Sequence, residues 1–132
     1  VILDSSAIVA ILLREPEHET LLDRLAETDT AAIGAPTLTE CGIVLSARLG
    51  PQGKTLLARF LQEARLTVIP FGSEHHSAAL DAYLRYGKGR HPAALNFGDC
   101  MTYATASLAA ASLLCVGEDF GQTDLPLAGT DG

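Results

Sequence analysis

The chain has no tryptophan and few aromatic residues, and alanine and leucine take their place. That composition favours helices packed on a compact sheet. Its three cysteines, Cys41, Cys100 and Cys115, are an odd number without CxxC spacing, and all lie in apolar stretches. This excludes a disulfide framework or a thiolate zinc site, and reads as small core residues in a reducing cytoplasm. Long hydrophobic runs are also missing. Ala7 to Leu13 is far shorter than the roughly 20 residues that cross a bilayer, and polar residues interrupt Tyr103 to Val116. The start, VILD, has no basic region ahead of an apolar one, so neither a secretory signal nor a membrane association is expected.

Positive charge is scarce too. Nine lysines and arginines face 16 aspartates and glutamates, for a formal net charge of −7. Nucleic-acid binders are usually basic, so this balance counts against one. It suits a protein that concentrates acids around a metal, or one that meets a basic partner. Repeats, low-complexity stretches and linkers are absent, and the 132 residues are expected to form one domain, 1–132.

What is present alternates between strand and helix signals. Residues 1–3 read as a short buried strand before Asp4, with Ser5 and Ser6 placed to cap a helix through Leu13. Pro16 is positioned to open a second helix to about Ala26. Ala31–Gly34 is a strand candidate, and Pro36 and Thr37 start a helix that Gly50-Pro51 ends near Leu49. Further helices are expected over Lys54–Ala64 and Ser73–Tyr86, with a strand at Leu66–Phe71 between them. Asn96 caps a last long helix, Leu113–Val116 is a strand, and the tail from about residue 121 is turn-rich. Such alternation predicts an α/β protein with a parallel sheet between helices.

Several acids stand out because of their neighbours. Asp4 is the only charged residue in positions 1–13, and Asp99 the only one between His91 and Gly117 with histidine neutral. Glu40 shares its helix with a single other charge, Arg48, and lies among apolar residues on both sides. An unpaired buried carboxylate costs several kcal/mol or is forced to protonate, so such acids need compensation. Asp4 and Asp119 follow strands, while Glu40 and Asp99 are expected in the first turns of their helices. In a parallel sheet, strand ends and helix starts share the edge where ligands bind. Carboxylates gathered there are hard oxygen ligands for Mg²⁺ or Mn²⁺, and such ions serve phosphoryl chemistry. Each acid also has a plainer reading: Asn96 to Asp99 fits a capping box, Asp4 fits a cap through Ser5-Ser6, and Asp119 fits an ordinary loop. Glu40 is the hardest to explain in this way, since it is neither a preferred N-cap type nor in a polar region.

Taken in order, VILDSSAIVAIL (1–12), TLTECGIVL (37–45), YGKGRHPAALNFGDC (86–100), NFGDCMTYATA (96–106) and LLCVGEDFGQTDL (113–125) resemble the PIN-domain ribonucleases. Their nearest likeness is to the VapC toxins of bacterial toxin–antitoxin pairs. The resemblance implies a PIN-like three-layer α/β/α sandwich with a short, mainly parallel sheet. It also implies a Mg²⁺- or Mn²⁺-dependent endoribonuclease, inhibited by a cognate VapB-type antitoxin and commonly a homodimer. The family pattern maps its acids onto Asp4, Glu40, Asp99 and Asp119, with the hydroxyl of Ser6 supporting the first. Asp4, Asp99 and Asp119 would be the main metal ligands, with Glu40 acting directly or through water. Glu118 and Asp124 are rivals for the fourth position; the Asp119-Phe120 pair favours Asp119.

Two further expectations concern partners. Arg85, Lys88 and Arg90, with His91 and interleaved Tyr83 and Tyr86, form a local basic patch ahead of Asp99, suited to guiding RNA by its phosphates. The early apolar helices, around Ile8–Leu13 and Leu21–Leu25, offer a groove for an antitoxin segment. Other readings are a degenerate PIN-like binding protein or another Mg²⁺-dependent phosphohydrolase. A haloacid-dehalogenase type expects a second aspartate after Asp4, where Ser6 stands, and a receiver domain expects a late lysine, but none follows Lys88.

Overall fold

Four short strands, β1 (Ile2–Leu3), β2 (Ala32–Gly34), β3 (Thr67–Ile69) and β4 (Leu113–Leu114), form one parallel sheet in the order β3-β2-β1-β4. This is a computed structural model, and it describes residues 1–129. Side chains alternate across a strand, and each pair here splits between two cores. Ile2 and Leu113 join a core with Ala82, Tyr86, Tyr103 and Phe120. Leu3 and Leu114 join another with Ile8, Leu21, Cys41, Leu45 and Phe60. A parallel sheet needs such cover on both faces, since its crossovers are helices.

The cover comes from six helices. On the Leu3 face lie α1 (Ser5–Leu12), α2 (His18–Ala26), α3 (Ala35–Leu49) and α4 (Gln52–Glu63). On the Ile2 face lie α5 (Ser73–Tyr86) and α6 (Phe97–Ala109), which pack closely on each other. The result is the expected three-layer α/β/α sandwich. Among the described residues, no helix is long and apolar enough to cross a membrane.

Several boundaries differ from the sequence-based expectation, each for a local reason. Asp4, not a serine, is the N-cap of α1, because its carboxylate accepts from the Ser6 N–H. Pro16 stands in the turn before α2, which begins at His18. β3 stops at Ile69 because Pro70 has no N–H to donate, and it is an edge strand. β4 stops at Leu114, and the Val116 N–H turns to the Ser6 hydroxyl instead of a ladder. α3 begins at Ala35, with Pro36 in its opening turn, so Glu40 falls in the second turn rather than the first.

The tail is better specified than its turn residues suggest. Phe120, in a short 3-10 turn at Phe120–Gln122, and Leu125 are both buried. Leu113 donates to the Pro126 carbonyl and Ala128 donates back to Leu113, laying the tail along the outer edge of β4. The expected turn-rich region also includes residues 130–132, which lie outside the described residues.

One glycine is required by packing that bears on the site. At Gly34, where β2 meets α3, a Cβ would come within 2.6 Å of Thr105 Oγ1, so glycine lets α6 close onto the sheet end.

The C-cap of α6, Ala110, is exposed and left-handed, with φ 51° and ψ 42°. A β-carbon there is strained, whereas glycine is not. Ala110→Gly is expected to stabilise the protein by about 0.5–1 kcal/mol, read from urea unfolding. An unchanged or lower midpoint would mean the strain is absent.

Candidate active site

β1 ends in Asp4, which the fold almost completely buries at 4% exposure. Its Oδ2 accepts from the Ser6 N–H at 3.1 Å and from the Ser6 hydroxyl at 2.6 Å. Its Oδ1 accepts from the Thr102 hydroxyl of α6 at 2.8 Å. Ser6 Oγ in turn accepts from the Val116 N–H at 2.9 Å, just past β4. Every one of these neighbours donates, which is what an acceptor-only carboxylate needs.

Asp99 sits in the first turn of α6, and the capping box expected from the sequence is formed. Asp99 N–H donates to Asn96 Oδ1 at 2.9 Å, and Asn96 N–H donates to Asp99 Oδ2 at 3.1 Å. The cap does not exhaust the residue's significance. Burial, opposed by the Asn96 backbone and joined by the negative charges of Asp4, Asp119 and Glu40, leaves the Asp99 carboxyl raised to about 6. The charges of three acids from other stretches of chain therefore reach Asp99.

Glu40, half-buried on α3, reaches the start of α6: a Cβ on Gly98 would fall 2.7 Å from Glu40 Oε2. Glycine at 98 thus makes room for this carboxylate. Asp119 is exposed, in the turn after β4. Of the three candidates for the fourth position, it is the one whose charge reaches Asp99 and Cys115. Asp124 is engaged elsewhere, accepting from the Tyr103 hydroxyl at 2.5 Å and pairing with Arg85 at 3.8 Å.

The cysteines register the same field. Burial, then the charges of Asp4, Asp119 and Asp99, pushes the Cys115 thiol up to about 11. Burial with Asp4 and Glu40 pushes Cys41 up to about 12. Thiols held protonated are poor metal ligands and poor nucleophiles. All three cysteines are free.

The donor set suits a hard divalent cation: it is all carboxylate oxygen, and its members repel one another. As the side chains stand, no three Asp, Glu, His or Cys groups among the described residues are drawn together closely enough to hold an ion. Two of the acids are tied and two are not. Hydrogen bonds hold Asp4 and Asp99, whereas no hydrogen bond or ion pair engages the Glu40 or Asp119 side chain among the described residues.

A family model for the PIN domain matches residues 1–125. The chain belongs to the PIN-domain family. Within it, the chain is 52% identical over 132 residues to ribonuclease VapC36 of Mycobacterium tuberculosis, covering 99% of this chain and 95% of that protein. It is 39% identical over 124 residues to a ribonuclease VapC of Mycolicibacterium smegmatis, covering 94% and 96%. In fold it matches Mycobacterium tuberculosis VapC20, a sarcin-ricin loop cleaving toxin, with a TM-score of 0.78 at 16% identity over 94% of this chain and 95% of that one. It also matches VapBC2 of Rickettsia felis bound to a promoter DNA fragment, with a TM-score of 0.76 at 21% identity over 96% and 95%.

Sequence reasoning missed two residues of this PIN site, Thr37 and Thr102. Both are buried, with their hydroxyl oxygens 3.0 Å apart. A periodicity argument counts a helical threonine as neutral, so the available signal was position alone: Thr37 is one turn before Glu40 and Thr102 one turn after Asp99. In the basic patch, Arg85 donates to the Tyr86 hydroxyl and pairs with Asp124, and Arg90 donates to the Leu84 carbonyl. Lys88 and Arg90 are exposed on the loop that leads into α6.

The Asp99 shift fixes a pH dependence. Unfolded, the group titrates near 3.8, and folded near 6. Between these values the folded state keeps a proton that the unfolded chain has lost, so stability falls as pH rises through the window. With divalent cations chelated, Asp99→Asn should match wild type near pH 4 and become progressively more stable than it up to about pH 6. Urea unfolding across this range measures it, and a constant difference would contradict the raised Asp99 carboxyl.

Proposed function

We propose that this protein is the toxin of a toxin–antitoxin pair, a Mg²⁺- or Mn²⁺-dependent endoribonuclease whose site is Asp4, Glu40, Asp99 and Asp119. The observation that carries it is geometric: Asp4 is buried at the end of β1 on donors from Ser6 and Thr102, and α6, which supplies Thr102, also carries the capped Asp99 and has Glu40 against its first turn. The names of its relatives, ribonucleases at up to 52% identity, support the reaction class. When bound, the ion supplies positive charge that activates water and offsets charge developing on the phosphate. Asp4 and Asp99 supply fixed ligand oxygens, because their hydrogen bonds leave the carboxylates little freedom. Asp119 and Glu40 complete the set from the solvent side, Glu40 directly or through water. Ser6 holds Asp4 and ties it to the strand beside it. Lys88 and Arg90, with Arg85 behind them, steer the RNA backbone towards the acids by phosphate attraction.

The test compares wild-type, Asp4→Asn and Asp99→Asn proteins on RNA with Mg²⁺ or Mn²⁺, and with a chelator. Wild type should cleave at internal positions and stop when the ion is removed. Each variant should lose about a hundredfold or more, the scale for groups that stabilise transition-state charge. Full cleavage by Asp99→Asn would overturn the assignment, and an inert wild type would favour a PIN-like protein that only binds.

The antitoxin partner has a seat in this reading. α1, α2 and α4 frame an open groove of about 410 Å³, lined by Ile11, Leu22, Leu25 and Phe60 together with the polar Thr28 and Glu63. It suits an apolar antitoxin segment, with an antitoxin arginine matching the carboxylates. Two of the neighbouring structures are described as a VapBC pair and a toxin–antitoxin complex.

The homodimer surface lies apart from that groove and adjoins the acids, because Glu40 and Thr37 also line one of its depressions. Phe97 is 80% exposed and stands between two apolar depressions, one lined by Pro36, Ile43 and Val44 and the other by Leu80 and Tyr83. A knob beside its own holes is self-complementary, as a two-fold interface requires. Phe97→Glu places an acid at a helix start, where the dipole offsets repulsion from the nearby Glu40 and Asp99, and its circular dichroism should match wild type. Light scattering should show a wild-type dimer and a Phe97→Glu monomer; a dimeric variant would move the interface elsewhere.

A further inference from the structure

Asp4 is the most completely enclosed acid of the site, and the direction of each bond around it follows from hydrogen count. Ser6 spends its N–H and its hydroxyl hydrogen on Oδ2. Both lone pairs of that oxygen are then used. Oδ1 accepts a single bond, from Thr102 Oγ1 at 2.8 Å, and keeps one lone pair. A threonine hydroxyl has one hydrogen, and Thr102 gives its own to Asp4. The 3.0 Å contact between the two threonines must therefore run from Thr37 to Thr102. The order is Thr37 to Thr102 to Asp4, and it links α3, α6 and the end of β1.

The placement of the two threonines matters as much as the bonds. Thr37 is three residues before Glu40 and Thr102 three residues after Asp99, each one helical turn from its acid. Both are at most 2% exposed, so water does not compete for the hydroxyls. One buried pair thus fastens the two helices one turn from the acids they carry, and holds the third acid, Asp4. No other polar group within the described residues is bonded to Asp4 Oδ1.

We propose that Thr102 is a positioning residue for Asp4, oriented by Thr37, and that it leaves Oδ1 as the single oxygen through which Asp4 takes a divalent cation. The inference rests on the reading of Asp4 as a metal ligand given above. Without the Thr102 hydroxyl the carboxylate keeps its Ser6 bonds but can rotate about them, and Oδ1 loses its fixed direction. Outer groups that orient a ligand in this way typically account for a ten- to hundredfold difference in metal affinity.

The test is calorimetric titration of purified protein with Mn²⁺, with no RNA present, alongside thermal unfolding of each variant in chelator. Thr102→Val keeps the shape and removes the hydroxyl; it should bind Mn²⁺ about ten- to a hundredfold more weakly. Thr102→Ser keeps the hydroxyl and should restore affinity to within a fewfold of wild type. Thr37→Val leaves the bond to Asp4 in place and should lose less than Thr102→Val. In single-turnover cleavage, Thr102→Val should slow the chemical step with RNA affinity unchanged.

Asp4→Asn is the control that separates the two levels of argument. If Asp4→Asn weakens Mn²⁺ binding and Thr102→Val binds like wild type, the positioning role is wrong and the site reading stands. If Thr102→Ser fails to restore affinity and Thr37→Val loses as much as Thr102→Val, the pair is only a packing contact and the proposal is overturned. If Asp4→Asn binds Mn²⁺ unchanged, the ligand assignment itself falls, and the role of Thr102 with it.

Discussion

A carboxylate buried at the end of the central strand is the constraint on which this structure depends. Left unpaired, Asp4 would cost several kcal/mol or give up its charge. The fold meets that demand with donors from four places: the first turn of α1 directly, Thr102 of α6 directly, Val116 beyond β4 through Ser6, and Thr37 of α3 through Thr102. The bonds that satisfy one acid are therefore the bonds that set the spacing of helices around the sheet edge. Gly34 and Gly98 serve the same closeness, by leaving room for Thr105 and Glu40.

Charge works against that compactness. Burial first, and then the charges of Asp4, Asp119 and Glu40, hold the carboxyl at position 99 at about 6. The capping box offsets part of this rise, since the Asn96 backbone favours the charged form of Asp99. The rest is an excess of negative charge that a divalent cation would relieve. This gives the net charge of −7 a local meaning. Phosphate attraction in the proposed reaction falls to the separate patch around Lys88 and Arg90, outside the acid cluster.

Much of this was legible in the residues alone, and the limits are instructive. Isolation in apolar stretches marked Asp4, Glu40 and Asp99, because a charge without polar neighbours needs a physical reason to persist. The capping box at Asn96 and Asp99 was readable from spacing and is formed as read. Element ends were less readable, because they depend on long-range competition for hydrogen bonds. β4 stops early because the Val116 N–H finds a serine 110 positions away. The fourth acid was equally open: Glu118, Asp119 and Asp124 are alike in composition, and only packing ties Asp124 to Tyr103 and Arg85 while Asp119 faces the cluster.

Alternation of strand and helix signals determined the layered parallel sheet, since a short apolar strand followed by an amphipathic helix has few ways to bury both faces. It also put Asp4 at a strand end and Asp99 at a helix start, the two kinds of position that share an edge in a parallel sheet. The tertiary structure decided what surrounds them. Thr37 and Thr102 are 65 positions apart and ordinary in their own helices, and become partners only because α3 and α6 close over Asp4. A hydroxyl's role depends on what lies within 3 Å of it, and local sequence does not contain that distance.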